Sequence, residues 1–244
     1  MNETFKQTMQ QLINFFAEFK YEPSIRFVDT LARKLKVPNE PTRVNTVAAT
    51  NYVKRYFELT NSPYLTGIED KIKSIEFQSI LTGIARLNIN KEINKRLEIY
   101  YGPQGTGKTT DALTQTANRI VCCHSGMMPE DLLEDFDFED VHGNPVYKPS
   151  ALQHAMNEGT PICLDEINLL PFETIRFLQT ITDNKTSIIY KDKTINISNG
   201  FRIIGTMNLK VGNQIFPLPE PLVDRALDIR RYKITAELLT TLLS

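Results

Sequence analysis

An α/β fold built on a parallel sheet, preceded by a small all-helical region, is what this 244-residue sequence predicts. Two observations carry that prediction. Up to about residue 95 the apolar residues recur at helical spacing. From Arg96 onward the pattern changes to short, nearly continuous apolar runs alternating with helical segments, as in strands covered on both faces of a parallel sheet.

Element by element, the first half reads as amphipathic helices through Phe5, Met9, Leu12 and Phe16, then Ile25, Val28, Ala32 and Leu35, then Ile68, Ile72 and Ile75. Pro23 suits a first helical turn, and VPNEP at 37–41 and NSP at 61–63 interrupt the helices. The strands that follow are LEIYY at 97–101, IVCCH at 120–124, PICLD at 161–165 and FRIIGT at 201–206, each ending at a polar residue. In an open α/β sheet, ligands bind beyond the carboxyl ends of the strands, so the residues just after these runs should converge on one site.

Composition narrows the possibilities. With 41% apolar and 23% charged residues the chain can bury a core and is not of a disordered class. Twenty-eight basic against 29 acidic groups exclude binding to nucleic acid or membrane by bulk charge. The mild excess of positive charge before Glu98, set against an acidic remainder, reads as a solvated helix surface. No apolar run approaches the ~20 residues of a membrane span, so no membrane partner and a cytoplasmic location are expected. Cys122, Cys123 and Cys163 lack the spacing of a disulfide framework or zinc site and read as plain buried thiols.

After the first strand comes GPQGTGKT at 102–109, matching G-x-x-x-x-G-K-[ST] in a strand, loop, helix setting. At average glycine usage of ~7%, chance would produce it in fewer than about one such chain in a hundred. Gly102, Pro103, Gln104, Gly105, Thr106, Gly107, Lys108, Thr109 and Thr110 form the candidate nucleotide cradle. Its glycines let successive backbone N–H groups face phosphate oxygens, with the positive end of a helix behind them. Lys108 should contact the β and γ phosphates of ATP, and Thr109 offers a hydroxyl ligand to Mg²⁺.

The run ICLDE ends in Asp165 and Glu166. Two adjacent carboxylates at the tip of so apolar a strand need a cation or water to justify their cost. Asp165 is expected to hold Mg²⁺ through water, and Glu166 to activate the water that attacks the γ phosphate. GTMN at 205–208 places Asn208 beside that strand end if the sheet is parallel, where its amide could bond both the water and the γ phosphate.

With these stations in order, the sequence resembles the AAA+ ATPases, and in detail their dynein-related, MoxR-like branch, over about residues 96–232. GMMPEDLL at 126–133, SALQHAMNEGTPICLDEINLLP at 150–171 and FRIIGTMN at 201–208 support the branch. The resemblance implies a P-loop NTPase core with five strands, ATP at subunit interfaces and a ring, most often a hexamer. It implies an arginine supplied to a neighbouring copy from near the end of the helix after the fourth strand. In PEPLVDRALDIR at 219–230 that residue is Arg225, with Arg230 and Arg231 as competitors. It also suggests that the acidic stretch from Glu130 to Asp140 is an insertion toward the ring's channel. TSIIYKDKTINIS at 186–198 reads as a hairpin. By resemblance its Tyr190, Lys191 and Lys193 approach the same channel and could grip a polymer.

The domain reading is therefore 1–95 helical, 96–232 ATPase core and 233–244 a single-helix remnant of the lid that related proteins carry, with no second sensor. An ATP-hydrolysing machine that remodels or loads a protein or nucleic-acid client is the leading expectation. A nucleotide-gated assembly module with little turnover, such as a replication or loading factor, is the alternative, and a small-molecule kinase the least favoured.

Overall fold

The computed structural model describes residues 3–37, 39–40, 43–60, 64–85, 96–208 and 217–233, with side chains from Lys6 onward. The side chain of Phe5, the NSP punctuation at 61–63, the 95/96 boundary and the terminal helix expected after Lys233 lie outside the described residues. Two compact units are present: residues 1–93 with Leu218–Asp224, and residues 94–217 with 225–244.

The first unit holds helices α1 (Glu3–Ala17), α2 (Ile25–Leu35), α3 (Thr46–Leu59), α4 (Leu65–Lys71) and α5 (Ile75–Ala85). Its core is aromatic: Phe15, Phe16, Phe27, Phe57 and Phe77 are buried, and Phe16 meets Phe27 edge-on at 5.7 Å. Edge-to-face and offset contacts of this kind add to the burial itself. Two expected core positions fall outside it. Ile25 and Ile75 are 71% and 90% exposed because each opens its helix, where the inward stripe has not begun. Pro23 precedes α2 instead of starting it; the Ser24 hydroxyl accepts the Phe27 N–H and caps the helix. The segment 218–224 adds to this unit through Leu218 N–H, which donates to the Leu59 carbonyl, and Tyr56, whose hydroxyl donates to Asp224 at 3.0 Å.

The second unit runs β1 (Leu97–Gly102), α6 (Lys108–Gln115), β2 (Ile120–Cys122), α7 (Pro129–Leu133), β3 (Glu134–Glu139), β4 (Pro145–Pro149), α8 (Ala151–Glu158), β5 (Pro161–Asp165), α9 (Phe172–Ile181), β6 (Ser187–Tyr190), β7 (Lys193–Asn196) and β8 (Arg202–Asn208). Beyond the short helix α10 (Glu220–Val223) comes β9 (Ala226–Arg231). Five strands form one parallel sheet in the order β2-β5-β8-β1-β9. β1 is buried along its length and pairs Gly102 with Asn208 on β8. Even its Glu98 is buried, because Tyr100 and Arg202 hydrogen-bond the carboxylate and Arg230 lies at 3.4 Å.

Strand burial departs from expectation at the edges. β2 pairs only with β5 and is half-buried, and Cys122 at its end is exposed, unlike Cys123 and Cys163. Burial pushes both inner thiols up to about 12. The acidic stretch, expected as an insertion, carries strand β3, which pairs with β4 in a separate antiparallel hairpin. β6 and β7 form the second hairpin, as the sequence suggests.

Candidate active site

β1, β5 and β8 deliver the expected residues to one cleft of about 250 Å³, lined by Gln104 through Thr110, Asp165, Glu166, Thr206 and Asn208. Gly102 ends β1 beneath it, and Pro103 turns its carbonyl back to accept from Thr106 Oγ1 at 2.8 Å and Lys108 Nζ at 2.6 Å.

The glycines of the loop serve different ends. Gly102 has φ +155°, and a Cβ there would sit 2.4 Å from the backbone oxygen of Tyr232, so the chain leaving β9 excludes a side chain. Gly105 and Gly107 have φ of +74° and +82° and open space around them, which favours glycine for backbone conformation and leaves room for a ligand. Gly107 caps α6, whose first-turn N–H groups face the cleft beside Lys108. Burial lowers the affinity of the Lys108 amine for its proton, while the charges of Asp165 and Glu166 oppose that shift.

At the strand tips five residues interlock. Thr109 Oγ1 donates to Asp165 Oδ1 at 2.7 Å, so the two expected cation ligands are already adjacent. A hydroxyl and a carboxylate are the hard oxygen donors Mg²⁺ prefers, and Mg²⁺ keeps several waters of its own, so these residues fit it. Glu166 lies at φ +57°, ψ +45°, a left-handed conformation uncommon for a side chain with a Cβ. Its N–H donates to Thr206 Oγ1 at 3.1 Å, and its carboxylate accepts from Asn208 Nδ2 at 2.8 Å. The Thr206 hydroxyl in turn donates to Asp165.

Thr206 is one of two residues that sequence reasoning missed. It stands in the quoted GTMN run, but its partners are set by the β5–β8 register and not by spacing along the chain. Gly205 is a second omission: a Cβ there would meet Ile167 Cδ1 at 2.9 Å, so its bareness lets the turn after Glu166 pack against β8.

Arg225 is not brought to this cleft. α10 is only four residues long, and Arg225 lies one residue past its C-cap Asp224, in the turn before β9. Its Nε donates to Asp183 Oδ1 at 2.8 Å, and its side chain is 17% exposed. Arg230 is engaged along the sheet edge with Asp228 and over the Tyr100 ring at 4.8 Å.

A five-stranded parallel sheet with a phosphate-loop glycine run after its fourth-positioned strand, and carboxylate and amide stations on the neighbouring strands, defines a P-loop NTPase fold of the AAA class. The family model for the AAA domain of the dynein-related subfamily matches residues 99–226, just over half of the sequence, and the chain belongs to that family. It is 32% identical over 115 residues to Midasin of Dictyostelium discoideum, which covers 44% of this chain and 2% of Midasin. It is 26% identical over 162 residues to an uncharacterised protein of Staphylococcus saprophyticus, covering 61% of this chain and 60% of that protein. The chain thus spans less than two thirds of the length of either relative. Among solved structures, one from Cytophaga hutchinsonii described as an ATPase aligns with a TM-score of 0.46 at 15% identity, covering 99% of this chain and 59% of that one. An MCM homologue from Methanopyrus kandleri gives 0.41 at 11% identity, covering 91% of this chain and 40% of that one. Among the described residues, no helix is long and apolar enough to cross a membrane.

Proposed function

We propose that the chain is an Mg²⁺-dependent ATPase that splits ATP into ADP and phosphate and uses the cycle to remodel or load a macromolecular client. The reading includes a helical domain at 1–95, an ATPase core at 96–232 and a separate segment from 233. It also includes a cytoplasmic ring of copies, most simply six. The observation that carries it is the linked set at the strand tips, in which Asn208 holds Glu166 and Thr109 touches Asp165.

In this scheme the N–H groups of residues 104–109 and the Lys108 ammonium bind the triphosphate tail. Thr109 and Asp165 would hold Mg²⁺, which when bound would neutralise charge on the β and γ phosphates. Glu166 accepts a proton from the attacking water, and the amide of Asn208 fixes the direction in which that carboxylate points. Arg225 would act on the γ phosphate of a neighbouring copy after leaving Asp183, which makes assembly a condition for turnover.

Steady-state phosphate release by the parent and by Glu166→Gln tests the catalytic assignment. A drop of about 10²-fold or more is expected from loss of a general base, and equal rates would remove the assignment. Lys108→Ala should abolish nucleotide binding; unchanged affinity would contradict the cradle.

The second reading, a nucleotide-gated assembly module with little turnover, is favoured by one observation, the Arg225–Asp183 ion pair that engages the guanidinium within its own chain. Turnover that stays negligible while ATP still drives assembly would select it.

A further inference from the structure

The β3–β4 hairpin presents to solvent what most surfaces avoid. Phe136, Phe138 and Tyr147 are 58%, 53% and 53% exposed, and Val141 at the hairpin turn is 96% exposed. The Phe136 and Tyr147 rings, opposite each other across the hairpin, pair edge-on at 6.4 Å. Neither strand pairs with any third strand among the described residues. A two-stranded ribbon gains little stability from bare aromatic rings in water, and contiguous exposed rings mark a contact surface.

The charge around those rings indicates what covers them. Seven acidic residues and no basic ones lie between Glu130 and Asp140. Lys148 neutralises Asp137 and Lys191 neutralises Glu134, leaving Asp135 and Glu139 exposed on the same strand as the rings. The chain already displays the mode of recognition. Lys191, from the turn of the β6–β7 hairpin, sets its ammonium 2.7 Å from Glu134 and 5.6 Å from the centre of the Tyr147 ring. One cation thus satisfies a carboxylate and an aromatic face together, an arrangement that suits an arginine or lysine of a partner at Phe136 and Phe138. Lys191, expected by resemblance near the channel, thereby joins the two hairpins.

We infer that the β3–β4 hairpin docks a basic polypeptide segment carrying apolar side chains between its lysines and arginines, and not a nucleic acid. Phosphates would meet the carboxylates as like charges, whereas an Arg-Leu-Lys-rich peptide offers guanidinium to the acids and methyl groups to the rings. The inference names the client class for the proposed function, but it rests on the surface alone and needs no ATP turnover.

The test is fluorescence anisotropy on the full chain with three labelled probes: a twelve-residue peptide alternating Arg or Lys with Leu, its Glu/Leu counterpart, and a single-stranded dT20. The basic peptide should bind, with affinity falling as salt rises. Phe136→Ser with Phe138→Ser should weaken it about tenfold or more. Asp135→Asn with Glu139→Gln should weaken it several-fold and flatten the salt dependence. Thermal midpoint and ATP-analogue binding confirm that these exposed substitutions leave the fold intact; should the ring variant fail that check, the charge variant decides alone. Equal binding of the acidic peptide, preferential binding of dT20, no binding of the basic peptide, or binding unchanged in the charge variant would each overturn the inference. If phosphate release fails while the peptide binds, the hydrolytic reading falls and this one stands.

Discussion

Asn208 Nδ2 lies 2.8 Å from Glu166 Oε1, so the amide at the end of one strand holds the carboxylate at the end of the next. A hydrogen bond to a charged group contributes roughly 1.5–3 kcal/mol. If it is needed in the transition state, Asn208→Ala should lower kcat by about 10- to 100-fold. Nucleotide affinity should change much less. Single-turnover phosphate release, set beside equilibrium binding of an ATP analogue, measures both.

Thr206 gives a second prediction. Its hydroxyl accepts the Glu166 N–H and donates to Asp165, so Thr206→Val keeps the shape and leaves both groups short of a partner. A cost of about 1–3 kcal/mol in urea unfolding is expected, with a fall in kcat. Thr206→Ser should recover most of both. If valine behaves like the parent, the hydroxyl has no positioning role.

Lys108 sets a pH dependence. Burial depresses its pKa below the usual lysine value of 10.5. The sign follows from which form binds phosphate: the ammonium attracts it and the neutral amine does not. Affinity for an ATP analogue should therefore hold at neutral pH and decline as pH rises through the depressed pKa, below 10.5. The unfolded chain keeps its proton longer across that window, so this group's contribution to stability rises with pH there. Lys108→Arg should stay flat in both measurements over the same range, since guanidinium keeps its charge. Parallel curves for lysine and arginine would exclude this residue as the titrating group.

The loop glycines should separate stability from binding. Gly102→Ala drives a methyl toward the Tyr232 backbone oxygen and should cost about 1–3 kcal/mol or more, because a backbone cannot step aside cheaply. Gly105→Ala meets nothing and should cost only the ~1 kcal/mol of a left-handed alanine. Nucleotide binding should nonetheless weaken in both. Thermal unfolding with and without an ATP analogue distinguishes them; equal destabilisation would show that Tyr232 does not constrain the loop.

Much of this molecule is legible in its sequence because its chemistry is local. The GPQGTGKT run specifies loop, helix start and ligand in eight consecutive residues, and ICLDE specifies a buried strand with a charged tip. What escapes is set at long range. Thr206 becomes important only through the pairing that lays β8 beside β5. β9 is hidden because ALDIRR mixes charge with apolar residues, as an edge strand with one open side permits. In EDFDFE the alternation of a strand is present, but its carboxylates suggest a solvated loop. Ile25 and Ile75 obey helical spacing yet face outward, since periodicity does not tell where a helix starts to be covered.

The position of β1 between β8 and β9 has a mechanical corollary. On one side its stem is bonded to the strand that ends in Asn208, and on the other to the strand that begins one residue after Arg225. A longitudinal slip of this middle rod would be transmitted to both flanks together. Were copies to assemble in the proposed ring, the occupancy of one compartment and the reach toward the next would then be two readings of one displacement.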